Sequence, residues 1–281
     1  MDHAQVRYLE AKRTVDERAL NRRVRDALVA RLPDAPSVVE FAPGTGVTVP
    51  RLLDWGLEPS HYVGIEQDRE LVESARETHR TDLEERGYTV TRTDDGFAVG
   101  PDGSVEVEFV VGDATAVEDR DADLVIAQAF ADLVAHDVLL DAIDRALGPE
   151  GLAYLPITFD GTTLFQPDHP ADDRIERAYH DSIAGQPGRD PRTGRHLMER
   201  FRAADGELLA AGSSDWIVRP RAYGYPADER YFLECILGFV ADAVADGPVD
   251  GAQDWLATRR RQLADEALTY VAHQYDLLYA P

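Results

Sequence analysis

The chain is short of lysine, cysteine and long apolar runs. Lys12 is its only lysine, and 29 basic residues face 53 acidic ones for a formal charge of −24. A field of that sign repels phosphate backbones and anionic lipid where screening is weak, so neither nucleic acid nor a membrane is an expected partner. Acid and arginine in plenty with almost no lysine is also the composition of a protein adapted to high salt, in which case the charge reports solvent more than substrate. The single cysteine, Cys235, excludes an internal disulfide and a cysteine-based zinc cluster; within YFLECILGFV it reads as an inert core thiol. The eight histidines include no HExxH, and His169 with Asp172 and Asp173 is an incomplete ligand set, so no metal is expected. No glycine-rich loop carries the Lys and Ser/Thr of a triphosphate site. No basic-plus-apolar leader and no run of about 18 apolar residues is present, which predicts a cytoplasmic chain.

Two segments carry the chemistry. VVEFAPGTGVTVP, residues 38–50, reads as a strand from Ser37 to Phe41 with Glu40 near its carboxyl end, followed by a turn in which Gly44, Thr45 and Gly46 bring backbone close to a bound group. HYVGIEQD, residues 61–68, reads as a second strand ending at Glu66, a carboxylate able to accept both hydrogen bonds of a ribose diol. The spacing from Gly46 to Glu66 leaves room for one helix, giving a βαβ unit. A dinucleotide fingerprint would want a third small residue where Val49 stands, and a buried acid at Glu40 would repel a pyrophosphate. A sulfonium nucleoside with an amino-acid tail suits the acid better.

In these residues the chain resembles the class I S-adenosylmethionine-dependent methyltransferases. EFAPGTG is similar to their glycine-rich first motif and GIEQD to their ribose-binding strand end. The likeness extends over residues 37–157. It implies a Rossmann-like α/β fold: a seven-stranded, mostly parallel sheet with an antiparallel terminal strand, N-terminal helices and helical or lid insertions. It implies S-adenosyl-L-methionine as cofactor, contacted by Glu40, Ala42, Gly44, Thr45, Gly46, Glu66, Gln67, Asp113, Ala114 and Gln128. Asp113, after a strand over Val105 to Val111, matches the acid that binds the adenine amino group. The loop Gln128 to Asp132, after a strand over Ala122 to Ala127, resembles the segment beneath the transferred methyl. The chain departs from the family at Ala42, where glycine is usual, and at Pro43. It also lacks the Asn-Pro-Pro-Tyr and Asp-Pro-Pro-Tyr sequences of amino-methylating enzymes. Its composition suggests a haloarchaeal-like member acting on a small molecule.

The length suits one methyltransferase domain over 1–281 with additions. Residues 1–36 form a helical cap, with a break expected near Arg13 to Asp16. Residues 37–157 form the cofactor-binding core, with a local hairpin after Val90 and a fifth strand from Leu152 to Ile157 near whose end Pro156 stands. Residues 158–206 are read as a substrate lid, whose GQPGRDPRTGRH stretch is too rich in glycine, proline and charge for regular structure. Residues 207–281 supply a strand from Leu208 to Val218, two inserted helices that enlarge the roof or make a homodimer surface, and a terminal strand over 267–280.

The expected reaction is in-line attack of a small-molecule acceptor on the methyl carbon, the acceptor possibly carrying an anionic group. Candidate bases are Tyr8, His180 and His196; candidate substrate contacts are Lys12, Arg13, Phe130, Arg195, Arg200 and Trp216. An RNA or protein methyltransferase, or a binding protein without catalysis, would share the cofactor pocket.

Overall fold

The computed structural model describes residues 6–245 and 249–281. Five parallel strands form its centre: β1 (Ser37–Phe41), β2 (His61–Glu66), β5 (Val105–Val111), β6 (Ala122–Ile126) and β7 (Leu147–Gln166). A hairpin, β3 (Val90–Arg92) and β4 (Gly96–Val99), extends the β5 edge antiparallel. On the other side β10 (Thr269–Ala280) runs antiparallel to β7 and pairs with β8 (Glu207–Ser213) and β9 (Trp216–Val218). The order is β3-β4-β5-β2-β1-β6-β7-β10-β8. The seven expected strands are present, joined by the hairpin and by β9, which breaks from β8 at Ser214 and Asp215. Because β1 neighbours both β2 and β6, chain direction across the sheet reverses there, opening a crevice at the carboxyl ends of those strands.

Three cores hold the helices. On one face, α2 (Arg22–Val29), α3 (Thr48–Asp54) and α4 (Arg69–Glu85) bury Leu28, Leu52 and Leu83 against Val38, Tyr62 and Phe109. On the other, α5 (His136–Ala146) and α7 (Thr193–Ala203) bury Leu139, Ile143 and Phe201 against Val39, Val125 and Leu277. The third core lies above the sheet edge, where α1 (Val6–Ala19), α6 (Asp172–Ala184), α8 (Glu229–Ala245) and α9 (Ala252–Ala264) meet the far ends of β7 and β10. At its centre Phe232, fully buried, stacks near Tyr8 at 5.9 Å and meets Trp216 edge-on at 5.3 Å. A phenylalanine so enclosed contributes about 1.5–3 kcal/mol. Of the two inserted helices, α8 turns Ile236 and Phe239 toward the crevice, while α9 packs Trp255 and Leu263 into the same core without reaching it.

Three expectations are corrected. The break in the N-terminal helices falls at Leu20 and Asn21, because Asn21 caps α2: its Oδ1 accepts from the backbone N–H groups of Arg23 and Val24 at 3.1 and 3.3 Å. The stretch from Arg13 to Asp16 stays helical, with Asp16 paired to Lys12 one turn back. The fifth strand does not stop at Ile157 but runs to Gln166, so residues 158–166 belong to the sheet. Ile157 takes a positive φ of 58° and the pairing with β10 slips there. Asp276, buried in β10, bridges the irregularity by accepting from the Ile157 N–H at 2.9 Å and the Asn21 N–H at 2.7 Å. Finally, regular structure resumes within GQPGRDPRTGRH, since α7 begins at Thr193.

Candidate functional site

The loop after β1 is made by backbone that few side chains tolerate. Ala42, Gly44 and Gly46 all have positive φ, at 51°, 57° and 79°. At Gly46 a Cβ would lie 2.8 Å from Phe109 Cζ, so glycine there is demanded both by conformation and by contact with the sheet. Ala42 holds its strained geometry through its N–H, which donates to the Ile65 carbonyl at 2.9 Å.

Two carboxylates from neighbouring strands flank this loop. Glu66 is buried, and each of its oxygens accepts one backbone N–H, from Gly44 at 3.2 Å and Asp68 at 3.0 Å. Glu40 is 2% exposed and accepts from the Thr48 hydroxyl at 2.8 Å and from the Tyr62 hydroxyl. Burial pushes the Glu40 carboxyl up to about 7, against the opposing pull of those hydroxyls and of Arg51. Each carboxylate oxygen has two lone-pair directions, so both acids keep capacity for a ligand donor.

The carboxylates open into a cavity of about 390 Å³, within the range of small-molecule sites. Lys12, Arg13, Ala42, Gly44, Thr45, Gln67, Gln128, Phe130, Trp216 and Tyr8 also line it. Thus twelve of the nineteen residues singled out from sequence converge. Beyond the carboxylates the walls turn apolar, with Phe159, Tyr179, Phe239 and Tyr270 contributed by the roof elements and the extended β7–β10 pair.

Seven of the nineteen lie outside the lining. Gly46 is beneath the loop, against Phe109. Asp113 is exposed at the end of β5, where its Oδ1 caps a short turn by accepting from the Thr115 N–H at 2.9 Å; Ala114 is buried in that turn. Their strand neighbours β2, and the Gly112 N–H donates to the Glu66 carbonyl at 2.9 Å. His180 bonds Thr163 at 2.8 Å and packs on Phe159. His196 is engaged by Asp190. Arg195 is held by Asp160 through several hydrogen bonds, the shortest 2.7 Å, and Arg200 pairs with Asp137. The proposed anion-binding cluster of arginines is therefore internally neutralised. Tyr8 does line the cavity, but burial drives its phenol well above the ordinary tyrosine value, which makes it a poor base at neutral pH.

Sequence reading missed the polar floor. Asp16, almost fully buried, binds Lys12 at 3.1 Å, accepts from Gln128 Nε2 at 3.2 Å and accepts from Trp216 Nε1 at 2.9 Å. Gln128 Oε1 in turn accepts from Arg51 at 2.5 Å, and Arg51 also bonds Glu17 at 2.9 Å. Arg51 lies 4% exposed in an otherwise apolar helix, and a lone arginine inside TVPRLLD was the available signal. Asp132, which also lines the cavity, closes the loop expected beneath the methyl but was not named for a role of its own, and Arg189, another lining residue, was missed because nothing in its local pattern separates it from surface charge.

Residues 39–155 match the family model for a methyltransferase domain. No curated protein sequence matches the chain. Among solved structures, a Bacillus halodurans C-125 protein designated a methyltransferase is 11% identical, with a TM-score of 0.52 over 92% of this chain and 97% of that one. A methyltransferase from Thiobacillus denitrificans, solved with S-adenosyl-L-homocysteine, is 17% identical with a TM-score of 0.49 over 94% and 93%. The [4+2]-cyclase SpnF is 20% identical with a TM-score of 0.45 over 92% and 79%. The fold is that of class I S-adenosylmethionine-dependent methyltransferases. The matched segment runs from β1 into β7 and contains Glu40, the glycine loop, Glu66 and Gln128.

Proposed function

We propose that the chain binds S-adenosyl-L-methionine in this cavity and transfers its methyl group to a small-molecule acceptor. The observation that carries this reading is the convergence of Glu40 and Glu66, from adjacent strand ends, on one cavity across the Gly44–Gly46 turn. The residues fit such a nucleoside. Glu66 offers free lone pairs to a ribose diol, Glu40 offers a buried negative charge to the ammonium tail, and the turn presents backbone where a Cβ on Gly44 would meet Leu9 at 3.0 Å. Asp113, one strand over from Glu66, would face the adenine from the rim.

When bound, the cofactor supplies a methyl on a positively charged sulfur, already activated for displacement. The chain's task is then orientation and exclusion of water. Glu40 and Glu66 fix two ends of the ligand, while Gln128 is fixed between Arg51 and Asp16 at the border of the apolar chamber. Positioning of this kind supplies up to about 7–11 kcal/mol of a barrier.

The acceptor is proposed to be small because α1, α6 and α8 close over the crevice, leaving no broad cleft for a polymer, and because the acidic surface disfavours RNA. Working in the cytoplasm at high salt is part of the same proposal and rests on composition. Among the described residues no helix is long and apolar enough to cross a membrane. The test is incubation of the full chain with methyl-labelled cofactor and a metabolite extract, followed by mass spectrometry of labelled products. Label in a low-molecular-weight product is expected; label only in RNA or protein, or binding without transfer, overturns the proposal.

A further inference from the structure

The chamber beyond the carboxylates holds two charged side chains that the cofactor reading leaves unused. Asp132, in the short turn Ala131–Leu133 after β6, and Arg189, in the loop between α6 and α7, both line the cavity. Among the described residues neither makes a side-chain hydrogen bond or ion pair with another side chain, although the Asp132 carboxylate accepts from its own backbone N–H; Lys12 and Asp16 in the same wall satisfy each other. The two segments are joined by backbone, since the Asp190 N–H donates to the Asp132 carbonyl at 3.4 Å. The same cavity is lined by the rings of Phe130, Phe159, Tyr179, Trp216, Phe239 and Tyr270.

Resting on the cofactor assignment above, we infer that Asp132 is the proton acceptor for a hydroxyl or amine on an acceptor with a flat apolar body. Stacked rings would hold such a body, since aromatic pairs gain from edge and offset contacts. Tyr8, His180 and His196 do not compete for the role: the first is buried with a strongly raised phenol, and the histidines are bonded elsewhere. The groups that face Asp132 are Arg189 and Asp190 from the α6–α7 loop, Lys12 from α1 and Tyr179 from α6. Burial outweighs the two cations and lifts the carboxyl to about 6, so it is ionised at neutral pH yet a stronger base than an exposed aspartate.

The step balances without an added reactant. A lone pair of the acceptor oxygen or nitrogen forms the bond to the methyl carbon, and the carbon–sulfur bond breaks with its pair going to sulfur. The proton leaves the acceptor for the Asp132 carboxylate and then passes to solvent.

The test compares the full chain with Asp132→Asn in three measurements. The first uses 4-nitrophenol without cofactor and follows phenolate absorbance against pH. A phenolate beside an ionised Asp132 is repelled, so the bound probe should ionise at higher pH in the parent than in the variant, by about tenfold or more in proton affinity. Equal titrations, or no binding of the probe, overturn the inference. The second is calorimetric binding of S-adenosylmethionine, expected to agree within about twofold; failure of the parent to bind would sink the cofactor assignment and this inference together, and equal binding with equal probe titrations would sink this inference alone. The third is methyl transfer to phenol and catechol. Asp132→Asn should lower kcat by about 10²–10⁴-fold with little change in KM, and Asp132→Glu should restore part of it. A variant with parental kcat overturns the assignment.

Discussion

Replacing Glu40 by glutamine should stabilise the ligand-free protein at alkaline pH while weakening its hold on a cationic ligand. Glu40 is 2% exposed, and burial lifts its carboxyl from 4.5 to about 7. The folded chain therefore binds this proton more tightly than the unfolded chain. Between those two values the native state keeps a proton that the unfolded state has released, so unfolding free energy falls as pH rises. The stabilisation is complete below the unfolded value and gone above the folded one, a difference of roughly 3 kcal/mol. Glutamine has no such titration, yet it can still accept from Thr48 and donate to the Tyr62 oxygen. Urea unfolding of both proteins at about pH 5 and about pH 8 isolates this group, since the other carboxyls cancel in the comparison. The variant should gain roughly 2–3 kcal/mol on the parent across that interval. Its affinity for S-adenosylmethionine at the higher pH should drop by at least about tenfold, one charge-assisted hydrogen bond being worth about 1.5–3 kcal/mol. A difference in unfolding free energy that does not change with pH would refute the claim that Glu40 is ionised at a cost.

Glu66→Ala should raise the cofactor Kd by about 10²-fold or more, two hydrogen bonds to a charged acceptor being lost, whereas Asp113→Ala should raise it less because that carboxylate is exposed; calorimetry on folded variants checks both. Gly46→Ala should lose about 2–5 kcal/mol in denaturant unfolding, from the left-handed backbone and from a Cβ placed 2.8 Å from Phe109, and parental stability would refute the packing argument. Arg51→Met should destabilise by about 3–5 kcal/mol, since it leaves buried Asp16 and Glu40 without a cation they share; a rise in Tm would show the floor to be better off apolar. Raising KCl from about 0.1 to about 2 M should increase Tm if the acid surplus is an adaptation to salt, and a fall would refute that proposal.

The side of the cavity formed by Glu40, the glycine turn and Glu66 was legible because its parts are local. Glu40, the glycine turn and Glu66 sit where two strands end, and strand ends are marked by runs of apolar residues and by the turn chemistry that follows them. The aromatic side was not, since its walls come from α1, the far end of β7, α6, β9, α8 and β10, which only tertiary packing brings together. Asp16 illustrates the difference: in sequence it is one of many acids, and its meaning comes from Gln128 and Trp216, distant in the chain. The strand past Pro156 was missed for a related reason. Proline argues against regular pairing locally, but the carboxylate of Asp276, on the opposing strand, accepts the next N–H and lets the ladder continue. His180, His196, Arg195 and Arg200 were chosen by residue type, and each has a nearby partner that sequence could not reveal.

Helix α1 joins the two sides. Its Leu9 packs against Gly44 in the cofactor turn, its Tyr8 lies within the aromatic roof, and its Asp16 ties Gln128 at the chamber border to Trp216 in β9. Moving α1 away would strip the buried Asp16 carboxylate of two partners, Gln128 and Trp216, each uncompensated bond to a charged group being worth about 1.5–3 kcal/mol. The α6–α7 loop is anchored as well, since Asp190 pairs with His196 at 2.5 Å and with His136 at 3.5 Å while its N–H donates to the Asp132 carbonyl at 3.4 Å. On the proposed reading, changes in α1 should therefore disturb cofactor and acceptor binding together, while changes at Arg189 should act on the acceptor.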